Sequence, residues 1–192
     1  MAGSPAFVQA TRWWCEAQLA ARLGQNPDAL LARAAALASA HGRLELRAAI
    51  RIDQATRMDA AAGLALLHDL IASTALHGLH GSELAAQVQA ARLAVAAGQP
   101  QAATLHAERA MALRGTHTPI LAYAPALWLA LAEVWAALGD PARAATLLQA
   151  CATTLRDSAD TQVPAAFVHS FLQRNPVNRL VLARAAHPAN GG

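Results

Sequence analysis

At 192 residues, with 53 Ala against four Trp, three Phe and one Tyr, the chain can bury one core of small side chains but has little material for a β-sheet. The formal net charge is a modest +3, and all fifteen basic residues are Arg. Without Lys, a Walker-type phosphate loop, a Lys Schiff base and a Ser-Lys dyad are excluded.

The opening MAGSPAFVQATRWWCEAQ has no basic stretch followed by a continuous apolar one, so no signal peptide is expected. From Pro5 to Leu23, the residues Phe7, Val8, Trp13, Trp14, Leu19 and Leu23 predict a helix with a broad apolar surface, bordered by Arg12, Glu16 and Arg22. Trp13 and Trp14 are adjacent and cannot face one neighbour; packing of both is expected, with partial exposure of one as the alternative. Cys15 and Cys151 lie far apart on apolar helical faces and read as buried thiols of a reducing cytoplasm.

Asn26-Pro27 is a cap and first-turn signal for a second helix that runs to about His41 and stops at Gly42. A third, Leu44 to Met58, presents Leu46, Ala49 and Ile50 on one side, with Arg43, Arg47, Arg51 and Asp53 elsewhere. The fourth, Asp59 to Leu76, is apolar along Leu64, Leu67, Leu70 and Ile71. It ends in His77-Gly78-Leu79-His80-Gly81. Two His at that spacing have the chemistry of zinc ligands, but structural zinc takes about four ligands and usually Cys as well. A glycine-flanked connection is therefore expected, with no metal site.

Ser82 is expected to cap a fifth helix through Ala97, closed by Gly98, and Pro100 opens a sixth reaching Arg114. The run from Gly115 to Ala132 is free of charge for eighteen residues, but Pro119 and Pro125 interrupt it, so a soluble protein is expected. From Pro125 to Arg156 two helices fold back on each other. Trp128, Leu131, Ala132, Trp135 and Leu138 recur at helical spacing, as do Ala144, Leu147, Leu148, Cys151 and Leu155. Between them Gly139 can end one helix in the left-handed conformation, Asp140 can cap the next, and Pro141 suits its first turn.

With Trp128, Leu131, Ala132, Trp135, Ala144 and Leu148 in register, this hairpin resembles a tetratricopeptide repeat. Aligning Gly98 with Gly139 makes 82–115 a degraded copy. The two glycines are 41 residues apart instead of 34, which places seven extra residues in the connection around Gly115 to Pro119. The expected fold is all-α: about ten helices in antiparallel hairpins, stacked as a tetratricopeptide-like α-solenoid over residues 1–186, with the best repeats at 82–115 and 125–156.

After this hairpin a loop, Asp157 to Gln162, and two short helices, Val163 to Gln173 and Val177 to Ala186, are expected. Arg174-Asn175-Pro176 is the hinge between them, and a disordered tail follows at 187–192. In this capping segment, 163–186, Phe167, Phe171, Leu172, Val177, Leu180 and Val181 are expected to seal the array, with Arg174, Asn178, Arg179 and Arg184 forming its polar outer face. The succession Ser170-Phe171-Leu172, Asn175-Pro176-Val177-Asn178-Arg179 and Leu180 is similar to the C-terminal end of large bacterial ATPase-type transcriptional regulators. Those proteins join a winged-helix or cyclase output module and a nucleotide-binding switch to a tetratricopeptide-like array. The resemblance implies the sensor or interaction part of such a regulator, standing alone or as a fragment, since no phosphate loop or output module is recognisable here.

The function expected from this reading is non-catalytic: a cytoplasmic protein-interaction or sensor module without cofactor, binding a partner protein or neighbouring domain. In such an array the first helix of each hairpin lines the concave surface, which nominates Val88, Arg92, Val95, Leu129, Glu133 and Ala136 as partner-binding residues. Direct association with DNA, motivated by the sequence pI near 9.6, is the alternative; interleaved acids along the N-terminal third read instead as solvated helix faces. Catalytic residues are not expected, since neither a Gly-x-Ser-x-Gly elbow nor a recognisable acid/base carboxylate pair is present.

Overall fold

A computed structural model describes residues 5–40 and 43–187. Within them the chain forms α1 (Ala6–Arg22), α2 (Asp28–Ala40), α3 (Leu44–Ala55), α4 (Ala60–Leu76), α5 (His80–Ala96) and α6 (Pro100–Arg114). Then come α7 (Ala124–Ala137), α8 (Pro141–Thr161), α9 (Ala165–His169), a π-helical turn (Ser170–Arg174) and α10 (Pro176–Ala186). There is no strand among the described residues, as the Ala-rich composition predicts.

Helix ends follow from a few side chains. Asp59 accepts a hydrogen bond from the backbone N–H of Ala62 at 3.0 Å and Asp140 one from Arg143 at 2.9 Å, each satisfying a donor that helix geometry leaves unpaired. At the two glycines aligned above, φ is +67° at Gly98 and +82° at Gly139. Each reverses the chain in the same way: the following residue donates to the carbonyl five residues back, Gln99 to Ala94 at 2.8 Å and Asp140 to Trp135 at 2.9 Å.

Consecutive helices pack antiparallel, and a second ladder runs through α3, α5, α7 and α10. Helix α5 is at the centre, with Ala86, Val88, Ala90, Ala91 and Ala94 all fully buried. Small residues let its neighbours approach closely; a Cβ on Gly81 would lie 2.5 Å from the Thr118 carbonyl oxygen. The core continues from α1–α3, around Trp14, Leu31 and Ile50, through α3–α6 to the large cluster around Leu131, Trp135 and Leu147.

Several expectations need correction. Ser82 is not a cap: α5 begins at His80, so Ser82 is already inside the helix. Helix α3 ends at Ala55, short of Met58. The loop expected at Asp157 to Gln162 is, up to Thr161, the last part of α8, because Leu155 and Ala159 continue the buried stripe of Cys151 and Ala152 while the polar residues face outward. Cys15 is exposed; Cys151 is buried. Trp14 is buried and Trp13 half-buried, with the Arg33 guanidinium over its ring. The expected stop at His41 and Gly42 lies outside the described residues, as does the tail beyond His187.

The C-terminal segment also differs from its expected form. Phe171, Leu172 and Val177 are half-buried and Val181 is fully buried, but Phe167 is 62% exposed and Leu180 39% exposed. Asn178, expected on the polar outer face, is fully buried. The π-helical turn explains why. The Asn175 N–H donates to the Ser170 carbonyl at 3.2 Å, Pro176 has no N–H to offer, and the Asn178 side chain donates to the Phe171 carbonyl at 2.9 Å instead.

Candidate functional site

On α1, Trp14 and Gln18 are one turn apart and share the face that turns toward α3, where Asp53 follows Ala49 by one turn. The Trp14 Nε1–H donates to Asp53 Oδ2 at 2.6 Å and the Gln18 amide donates to the same oxygen at 3.2 Å. Burial pushes the Asp53 carboxyl above its ordinary value of 3.8, while these two hydrogen bonds pull the other way. Asp53 takes part in none of the ion pairs among the described residues.

Asp53 faces a groove of about 460 Å³ that crosses α1, α3 and α5 and is closed at one side by Ile120 to Tyr123 and Leu127. A second cavity of about 230 Å³ adjoins it on the side of Pro27 and Leu31, sharing Gln18, Arg22 and Asp53. The walls are Ala49, Ile52 and Ala85. Ser82 Oγ, buried in the α5 wall, has no hydrogen-bond partner among the described residues. The rim is strained: Leu121 has φ +54°, a conformation that costs a non-glycine residue energy unless its surroundings impose it. They do so through the close approach of Thr118 and Ile120 to Gly81, and through Tyr123, whose hydroxyl donates to Asn178 Oδ1 at 2.6 Å.

The six residues nominated from the sequence do not form one surface. Val88 is fully buried and Leu129 is 9% exposed, both within the core, and Val95 is half-buried against it. Helix α5 is packed by α3, α4, α6 and α7, so its Val88 side is used up by neighbouring helices. Arg92, Glu133 and Ala136 are exposed. Arg92 donates to Gln89 Oε1 at 2.9 Å. Glu133 and Ala136 border a separate 360 Å³ cavity between α7, α8 and α10, where Arg184 pairs with Glu133 at 2.8 Å.

The histidines of the Gly-flanked stretch part company. His77 closes α4, its Nδ1 2.7 Å from the Ser73 carbonyl, whereas His80 opens α5 and meets Glu83 at 3.1 Å. Glu83, only 2% exposed, is held on its other side by Arg109 at 2.8 Å, and the His80 ring lies 4.6 Å from that of His117. No group of three or more His, Cys, Asp or Glu that could hold a metal ion occurs among the described residues. A further pair was not anticipated: His68 and His106 bring their Nε2 atoms to 3.1 Å, with His106 Nδ1 donating to Gln87 Oε1 at 2.7 Å. The Cys151 thiol, raised to about 11 by burial, is protonated at neutral pH.

What the sequence reading missed is Trp14, Gln18 and Asp53. The available signal was limited to an acid one turn after Ala49 and next to Ile52, and a tryptophan on α1 able to donate one hydrogen bond. Among the described residues no helix is long and apolar enough to cross a membrane. No family model, curated protein or solved structure matches this chain, so its function is argued from its own residues.

Proposed function

We propose that the chain is a non-catalytic interaction or sensor module of a bacterial signalling or transcription-regulatory system, and that it takes a segment of a partner protein or neighbouring domain in the groove across α1, α3 and α5. The observation that carries this reading is the groove's make-up: apolar side chains at Ala49, Ile52 and Ala85, a strained rim, and polar groups fixed by hydrogen bonds at Asp53 and Gln18. Such a mixture suits recognition of a polypeptide, with apolar contacts giving affinity and polar groups giving register. The tetratricopeptide-like pattern of the sequence supports the same reading, and the two free thiols suit a reducing, cytoplasmic setting.

Association with duplex DNA has less support. Arg12, Arg57, Arg109, Arg143 and Arg184 are each paired with a carboxylate, which offsets part of the positive charge that such binding needs.

The test is selection of displayed random peptides on the purified chain, followed by titration of the selected peptides against wild type, Ile120→Asp and Gln89→Ala. Both positions line the groove, and thermal melts of the two variants check that their fold is kept. At least a tenfold loss of affinity in Ile120→Asp is expected. Selected peptides that bind both variants as tightly as wild type would overturn the reading.

A further inference from the structure

We infer that the groove recognises a basic side chain, the guanidinium or ammonium of an Arg or Lys carried by the partner polypeptide, with Asp53 as its counter-ion. This rests on the groove reading above and adds the chemistry of the occupant.

Both hydrogen bonds that hold Asp53 end on Oδ2, which fixes the carboxylate and leaves Oδ1 with no donor among the described residues. Neither donor carries charge. The contrast with Glu83 is direct: that carboxylate is buried more deeply, and it has Arg109 and His80 against it. Arg22 lines the same groove yet forms no ion pair with Asp53. A half-buried carboxylate without a cation gains from an incoming positive charge, because partial burial strengthens their attraction. A neutral ligand leaves that charge uncompensated, and an anionic one is repelled.

A second, independent feature is on the opposite wall. Ser82 belongs to the α5 wall, and its buried Oγ has no partner among the described residues. The occupant is a polypeptide and not a free amine because the groove extends beyond these two groups to Ile120 and Leu121, each 46% exposed, which can take apolar neighbours of the basic residue.

The probe is N-acetylarginine methylamide, compared with its citrulline counterpart, which has nearly the same shape and no charge. Each is titrated into the ¹⁵N-labelled full chain while the indole N–H resonance of Trp14, assigned with Trp14→Phe, is followed. The arginine amide should shift that resonance saturably and bind at least tenfold more tightly than the citrulline amide. Asp53→Asn should remove the difference while keeping an oxygen for Trp14. Equal response to the two amides, or no movement of the Trp14 resonance with either, overturns the inference. Selected peptides that are sensitive to Ile120→Asp but lack basic residues and ignore Asp53→Asn would overturn it as well, while leaving the groove itself in place.

Discussion

Tyr123 and Asn178 are fifty-five residues apart and share a 2.6 Å hydrogen bond that ties the rim of the groove to the last helix. Because Asn178 also closes the open carbonyl of the π-helical turn, one buried amide fixes both the groove wall and the end of the array. Tyr123→Phe should cost about 0.5–1.5 kcal/mol, and Asn178→Ala about 1–3 kcal/mol because it strands a carbonyl. The double variant should be less destabilised than the sum, since the shared bond is lost only once. Additive losses in urea denaturation would show that the two sites are independent.

Phe171→Ala is a milder change than a fully buried aromatic would suggest. The ring is packed against the core but only partly buried, so the loss should stay below the ~3–5 kcal/mol typical of buried Phe. Thermal melts beside Val181→Ala, at a position with no exposure, give the comparison.

The Asp53 carboxyl titrates above its unfolded value of 3.8. Its contribution is therefore most favourable below that pH and is lost as pH rises through the folded value. Asp53→Asn should raise the melting temperature at pH 7 and change it little near pH 3. A lower melting temperature at pH 7 would mean that the charge is compensated in the folded protein. A stabilising change at a binding residue is what a site that gives up stability for recognition produces.

The hairpins were legible because their punctuation is local. Gly98, Gly139 and Asp140 act within a few residues of themselves, and the structure uses each as read. Asp157 to Gln162 was illegible for the opposite reason: whether polar residues are a loop or an outward helix face depends on what lies under Leu155 and Ala159. The groove was harder still. Helical period says that Val88 and Asp53 each face something, but only the packing of α5 among four helices decides that Val88 faces the core and Asp53 a cavity. Asn178 fails in the same way, since its burial is imposed by a carbonyl that Pro176 leaves unpaired.

Gly81 tests the closure of the groove. A methyl group there would sit 2.5 Å from the Thr118 carbonyl and 2.9 Å from Ile120 Cγ1, so Gly81→Ala should push the Ile120 rim outward and cost about 1–3 kcal/mol. Gly115→Ala is the control, because its nearest atom would be 3.5 Å away and its φ of −65° suits any residue. Equal melting temperatures for both variants would contradict the close approach.

His106 contributes a loss of stability on the acid side of neutrality. Its Nδ1–H is committed to Gln87, so in the neutral ring Nε2 is an acceptor facing His68. Burial first, and the neighbouring His68 second, hold its pKa below the ordinary 6.5. As pH falls through 6.5 the unfolded chain takes up this proton before the folded one does, so stability declines until the folded His106 is protonated as well. Above neutrality the residue contributes no pH dependence. His106→Gln keeps a polar group beside Gln87 and removes the titration, so its urea midpoint should fall less than wild type between pH 7 and pH 5. His68→Gln should have a weaker effect in the same direction, since it removes only the smaller of the two causes. If the wild-type midpoint is flat across this range, or if His106→Gln follows it point for point, the ring is protonated at no cost and the His68–His106 contact does not hold it neutral.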